Sequence, residues 1–185
     1  MTLTIRFARP ADASDLAELA ARTFRDTFGA DNRPDDLALH LASAYGAAQQ
    51  AGELADPDII TLVAAEGGAL VAFAQLRRGT TPASVIGAAP IELWRFYLAA
   101  EWQGRGLAQQ LMSQVVEAAR HAGAATLWLG VWERNPRAIA FYRKEGYAEA
   151  GTHVFVVGTD PQTDWIMTRP VGIATTCDGR ERSIT

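Results

Sequence analysis

Between Ile91 and Glu145 the hydrophobic period changes at every break, and this run constrains the fold more than any other part of the chain. Ile91 to Ala99 reads as a strand. Gly106 to Ala122 carries Leu107, Leu111, Val115 and Ala119 on one stripe and reads as an amphipathic helix. Thr126 to Trp132 is an apolar run of buried-strand length, and Pro136 to Glu145 reads as another helix. Such a succession calls for a mixed α/β (α+β) arrangement, with a sheet covered by helices.

The flanking sequence extends this pattern. Thr4 to Phe7 alternates as a short strand, which Pro10 breaks. Asp12 stands where an N-cap is wanted, before Leu16, Leu19, Ala20, Thr23, Phe24 and Phe28 at helical spacing, and Gly29 ends that helix. Asp31 to Pro34 is a turn. Asp35 and Asp36 fall in the first turn of a second helix with Leu37, Leu41 and Tyr45, where acidic groups complement the helix dipole. Ile59 to Ala65 and Ala69 to Leu76 form a hairpin about Gly67-Gly68. Arg78 to Pro90 reads as a loop, and His153 to Val157 and Thr163 to Thr168 as two last strands. The pattern stops at Pro170, so the expected organisation is one domain over 1–170 and a loose tail over 171–185.

Composition bounds the partners. Of 185 residues, 49% are hydrophobic and 21% charged, enough apolar material for a full core. A net charge of -4 argues against a broad basic face, so nucleic acid is not an expected partner. Cys177 is the only cysteine and cannot form an internal disulfide. The first ten residues lack a signal-peptide core, and no apolar run approaches a membrane span, so a soluble cytoplasmic protein is expected. His40, His121 and His153 show no metal-ligand spacing, and no metal is expected.

Gln103-Gly104-Arg105-Gly106-Leu107-Ala108 joins a strand to a helix. The first N–H groups of a helix have no internal partner, and its dipole puts partial positive charge at the same place. Glycine permits positive φ and close approach of a ligand. The segment lacks the Gly-Lys-Ser/Thr of a P-loop. Gln109 stands where a dinucleotide fingerprint needs a small residue. By spacing alone, an anion site and a ligand-free tight turn stay equally open.

These residues resemble the pyrophosphate motif of the GNAT N-acetyltransferases, Arg/Gln-x-x-Gly-x-Gly/Ala, with Ala108 at its last position. Glu92-Leu93-Trp94-Arg95-Phe96-Tyr97-Leu98 looks like that family's fourth strand, and Asn135 to Tyr147 resembles its second cofactor segment. The resemblance spans about Leu3 to Arg169. It implies a mostly antiparallel sheet of six to seven strands, flanked by helices and splayed between the fourth and fifth. It further implies acetyl-CoA as co-substrate. The backbone of Phe96, Tyr97 and Leu98 would pair with pantetheine, and the amides of Gly104, Arg105, Gly106, Leu107, Ala108 and Gln109, after Gln103, would hold the pyrophosphate. Asn135 would contact the pantetheine arm. Members of the family are often dimers, and the sequence leaves a homodimer open.

The residue types suit acyl transfer to an amine. An alkyl ammonium has a pKa of about 10.4 and must lose a proton before it attacks. Glu92, eleven residues before Gln103, matches the spacing of the general-base glutamate in the histone-acetylating branch of the family. It alternates with Trp94 and Phe96 on an otherwise apolar face, which should raise its pKa. Tyr142 can protonate the leaving thiolate. Other roles stay open: Tyr142 as a core aromatic beside Phe141, Glu92 as an exposed strand-end residue, and Asn135 as the cap of the helix that Pro136 opens.

Thr23 to Phe28, Asp31-Asn32, Asp35-Asp36-Leu37, Trp128 to Glu133 and Gly158 to Asp164 look like bacterial polyamine acetyltransferases of the PaiA type. That resemblance implies spermidine or spermine as acceptor, drawn by Asp26, Asp31, Asp35 and Asp36. An amino acid, antibiotic or protein amine is the alternative acceptor. A non-catalytic acetyl-CoA-binding module is the reading from another class.

Overall fold

The computed structural model describes residues 2–172. Seven strands form one sheet: β1 (Leu3–Phe7), β2 (Ile59–Glu66), β3 (Ala69–Arg77), β4 (Pro90–Leu98), β5 (Thr126–Trp132), β6 (Ala148–Val157) and β7 (Asp160–Pro170). Their order across the sheet is β1-β2-β3-β4-β5-β7-β6. Every contact is antiparallel except β4 with β5. That parallel ladder covers only Pro90 to Glu92 against Thr126 to Trp128, after which the two strands part. Among the described residues, five α-helices cover the sheet: α1 (Ala13–Phe28), α2 (Pro34–Ala44), α3 (Ala47–Ala55), α4 (Leu107–His121) and α5 (Pro136–Lys144).

The apolar stripe of α4 supplies one core. Leu107, Leu111, Met112, Val115 and Ala119 are buried against Leu127, Leu129 and Met167 of the sheet. Burying one such side chain contributes about 1.5–3 kcal/mol. The opposite face packs Phe73 and Val63 against Leu16, Ala20 and Phe24 of α1. Helix α5 is bounded as its sequence dictates: the Asn135 side chain accepts the Ala138 N–H at 3.1 Å, Pro136 stands at the first turn, and Gly146 leaves the helix at φ 84°.

Several boundaries differ from the sequence pattern. β6 and β7 are longer than the two short strands expected, and their long ladder closes on the turn at Gly158-Thr159. The helix α3 has no counterpart in the hydrophobic pattern, because its buried residues are Gln50 and Glu53. The chain past Pro170 stays packed for two residues, with Val171 buried and its N–H donating to Ala125 at 2.8 Å. Residues 173–185, the rest of the expected tail with Cys177, lie outside the described residues.

Asp12 does not cap α1 with its side chain. Its carboxylate accepts two hydrogen bonds from Arg6 of β1, at 2.7 and 2.9 Å, and one from the Arg9 N–H at 2.6 Å. The Arg6 guanidinium holds the carboxyl down at about 2, against 3.8 for a free aspartate. A depressed carboxylate contributes stability above its unfolded value and loses it as pH falls through the folded one. Asp12→Asn is therefore expected to lower stability by about 2 kcal/mol near neutral pH. It should also flatten the acid-side loss between about pH 4 and pH 2 in urea melts followed across pH. A variant as stable as wild type at neutral pH would remove the pair from the account.

Candidate active site

A cavity of about 1000 Å³ opens where β4 and β5 part. Trp94, Phe96, Tyr97 and Leu98 of β4 line one side, and Gly130, Val131 and Trp132 of β5 the other. The beginning of α4 closes one end and α1 with its exit closes the other, through Thr23, Asp26 and Asp31.

A bulge decides what β4 presents to it. Gln75 pairs with Arg95 but Leu76 pairs with Leu93, so Trp94 is an extra residue in the ladder. The side-chain alternation shifts by one at that point. Glu92 consequently shares a face with Arg95 and Tyr97, and Phe96 turns to the other. The expectation that Glu92 alternates with Trp94 and Phe96 on an apolar face is corrected here. Phe96 stacks on Phe141 of α5, with ring centroids 5.6 Å apart, whereas Tyr97 stacks on Phe73 at 5.6 Å.

Glu92 is not an isolated carboxylate. Arg77 donates to its Oε2 twice, from Nε at 3.0 Å and Nη2 at 2.7 Å. Burial pushes the Glu92 carboxyl up, and Arg77 pulls the other way without cancelling the rise. Tyr142 lines the cavity from α5, its ring held by Phe96, Phe141 and Tyr147 at centroid distances of 6.4, 5.4 and 5.6 Å. Burial raises its phenol well above the ordinary value, so it stays protonated at any working pH.

The glycine turn has the geometry its sequence suggested. Gly104 and Gly106 adopt φ of 75° and 81°, and a Cβ built on either would meet nothing within 4 Å. Open space therefore lies over the backbone at the mouth of α4. Gly104, Gly106, Ala108 and Gln109 line the cavity. Leu107 turns its side chain into the core, leaving only its amide at the turn, and the Arg105 guanidinium lies 5.8 Å from the Trp102 ring. Gln103 ties the end of β4 to α5. Its Nε2 donates to the Leu98 carbonyl at 3.3 Å and its Oε1 accepts from Arg137 at 2.5 Å. Asn135 lines the cavity too, with its Oδ1 committed to capping.

Other cavity residues had no signal in the hydrophobic pattern. Beneath the β4 side, Arg95 pairs with Glu53 of α3 at 2.5 Å and donates to Gln75 at 2.7 Å, with the Trp94 ring 3.7 Å and the Tyr45 ring 4.8 Å from its guanidinium. His153 and Asp164 face each other across the β6–β7 ladder, and Arg134 and Arg137 flank the start of α5. Of the four aspartates expected to attract a cation, Asp26 and Asp31 line the cavity. Asp36 is a structural group: it is buried and accepts the N–H and hydroxyl of Thr159, both at 2.7 Å.

Comparison with solved structures gives the fold. The PaiA N-acetyltransferase from Thermoplasma acidophilum, in complex with coenzyme A, superposes with a TM-score of 0.76 at 22% identity, over 92% of this chain and 99% of that one. The two proteins share one fold. At the sequence level, residues 14–147 match the model of the acetyltransferase (GNAT) family. An uncharacterised N-acetyltransferase of Mycobacterium tuberculosis is 35% identical over 158 residues, covering 85% of this chain and 97% of the relative. The aminoglycoside N(6')-acetyltransferase type 1 of Stenotrophomonas maltophilia is 31% identical over 157 residues, 82% of this chain and 90% of the relative. The chain belongs to the GNAT family, and it is an acyltransferase that uses acetyl-CoA to acetylate an amine. Among the described residues, no helix is long and apolar enough to cross a membrane.

Proposed function

We propose that the acceptor is a small polycationic amine, a polyamine such as spermidine or spermine, acetylated by direct attack. The observation that carries this is the carboxylate lining of the cavity away from the glycine turn: Asp26, Asp31, Glu92 and Asp164. Asp26 and Asp31 have no ion-pair partner among the described residues. Glu92 is paired with Arg77, so it is chiefly Asp26 and Asp31 that would attract a cation entering there.

On the donor side, the amides of Gly104 to Gln109 suit a pyrophosphate, because they are unpaired helix-start donors beneath open space. Arg137 adds a full positive charge beside them. The edge of β4 from Trp94 to Leu98 is not laddered to β5, so Phe96, Tyr97 and Leu98 can pair with pantetheine. Asn135 keeps its side-chain N–H₂ for the same arm. Acetyl-CoA supplies the acyl group already activated as a thioester. Glu92 takes the proton that the ammonium must lose before its nitrogen bonds to the carbonyl carbon. Tyr142 gives its proton to the sulfur as the C–S bond breaks. Backbone N–H groups of the parted strand polarise the carbonyl.

Gly104→Ala and Gly106→Ala test the turn. An alanine at such φ costs about 1–2 kcal/mol, and its methyl would stand in the space left for phosphate. CoA affinity in calorimetry is expected to fall at least tenfold while the fold survives. Unchanged affinity would take the pyrophosphate away from this turn.

The Stenotrophomonas relative favours a second reading, an aminoglycoside, which is also polycationic. CoA release with acetyl-CoA across spermidine, spermine, aminoglycosides, amino acids and lysine peptides separates the two. The highest kcat/KM on spermidine or spermine supports the polyamine reading. Turnover of aminoglycosides alone would replace it, and turnover of peptides alone would sink both.

A further inference from the structure

Gly130 of β5 is a gap kept for a side chain from two strands away. A Cβ there would lie 2.6 Å from His153 Nε2 and 3.3 Å from Asp164 Oδ2. The imidazole of His153, on β6, therefore reaches across β7 to rest over β5. Its Nε2 is buried without a hydrogen-bond partner, and the nearest carboxylate oxygen, Asp164 Oδ2, is 3.8 Å away. At that distance Asp164 pairs with the ring only as an ion pair, when the imidazole is protonated.

Trp128 pairs with Glu92 across the parallel ladder, and Gly130 is the next residue on the same face of β5. The imidazole over Gly130 thus sits one diagonal step from Glu92, in the same cavity. Arg77 occupies Oε2 of Glu92 with both its hydrogen bonds, leaving Oε1 for a proton. A row runs across the sheet from Arg77 through Glu92 and His153 to Asp164.

We propose that His153 is the second station for the proton that the acceptor amine loses. The proton passes from the ammonium to Glu92, then through cavity water to His153, whose imidazolium Asp164 stabilises; it leaves to solvent from there. This rests on the reading of the acceptor as an amine deprotonated at Glu92. The charged groups facing His153 agree with the role. Asp164 of β7 and Glu92 of β4 raise its affinity for a proton. Arg77 of β3 is neutralised by Glu92, and Arg95 of β4 by Glu53. Asp26 and Asp31 from the α1 side and His40 of α2 border the same cavity, and burial holds His40 toward its neutral form.

Two variants disturb the station differently. His153→Gln removes it, while Gly130→Ala keeps the imidazole and displaces it. Each is expected to lower kcat/KM at least tenfold near neutral pH with the best amine of the panel, and to shift the acidic limb of the kcat/KM profile. CoA affinity should stay within about twofold in both. Asp164→Asn should move the limb to lower pH, because an imidazolium without its counter-charge loses its proton sooner. A His153→Gln profile that superimposes on wild type would overturn the proposal. A second arm needs no turnover: proton NMR titration of the His153 ring, assigned with His153→Gln. Glu92→Gln is expected to lower the His153 titration midpoint, and an unmoved midpoint would also overturn the proposal. If no amine is turned over, the acceptor reading fails, and the titration still decides whether Glu92 and His153 are coupled as the relay requires.

Discussion

Tyr142→Phe is expected to lower kcat by about 10²-fold or more, with acetyl-CoA affinity changed less than about twofold. The packing around the ring isolates the hydroxyl as the variable. Phe96, Phe141 and Tyr147 contact the ring whether or not it bears oxygen, so phenylalanine fills the same volume. Burial keeps the phenol protonated far into the alkaline range, so it can only donate. The departing thiolate of CoA is an alkyl thiolate, whose conjugate acid has a pKa near that of cysteine, about 8.5. A hydrogen bond from the phenol offsets the charge developing on sulfur as the C–S bond breaks in a partly apolar cavity, and a Tyr142 that gives up its proton must regain it from solvent before the next turnover. Steady-state kinetics with calorimetric CoA binding separate the chemical step from donor binding. A kcat within twofold of wild type would show that another group, or water, protonates the sulfur.

The parts of this molecule that local pattern determines could be read from the residues. Thr126 to Trp132 is a strand with the bounds expected, and α4 begins and ends one residue inside its expected limits. Hydrophobic period sets both, and the helix start is further fixed by Gly104 and Gly106, whose positive φ the motif foretold. What stayed illegible depends on partners distant in the chain. Helix α3 escaped notice because its inward residues, Gln50 and Glu53, are polar, and only tertiary pairing makes them buried. The bulge at Trp94 reverses the alternation that placed Glu92 beside Phe96, and no glycine or proline flanks Trp94 to announce it. Asp12 has a capping residue's identity, but Arg6 on the preceding strand claims its carboxylate.

His153 and Asp164 show where one more step of sequence reasoning would have reached. Once a hairpin turn is set at Gly158-Thr159, the register that pairs Val157 with Asp160 also pairs His153 with Asp164. Gly130 carries the complementary signal, a glycine inside an apolar strand, which marks close approach by another group. The pairing of His153 is not visible without first fixing the turn, because His153 taken alone is one histidine among three.

Glu53→Ala is expected to destabilise the fold by about 3–5 kcal/mol, since it leaves a buried guanidinium without its carboxylate. Glu53 is 4% and Arg95 6% exposed at the side chain. Glu53 accepts from Arg95 at 2.5 Å, from Gln75 at 3.1 Å and from Gln49 at 3.0 Å. Without it, Arg95 keeps one short bond, to Gln75 Oε1 at 2.7 Å, and a longer one to the Ala44 carbonyl at 3.4 Å. For a chain of this size the loss corresponds to a fall in Tm of about 10 °C. Glu53→Leu with Arg95→Met removes both charges and should recover at least half of the lost stability, because an ion pair in the interior gains little over apolar side chains of similar volume. The recovered double variant is nevertheless expected to lose turnover. Arg95 lies between Trp94 and Tyr45 and ties β4 to α3, so it holds the bulged strand against the helices that bound the acceptor half of the cavity. Denaturant melts of Glu53→Leu, Arg95→Met and the double variant form a cycle that isolates the pair, and kinetics on the double variant separate stability from positioning. A cost below about 1 kcal/mol for Glu53→Ala would mean that water reaches Arg95 and that the pair is not the joint between α3 and the sheet.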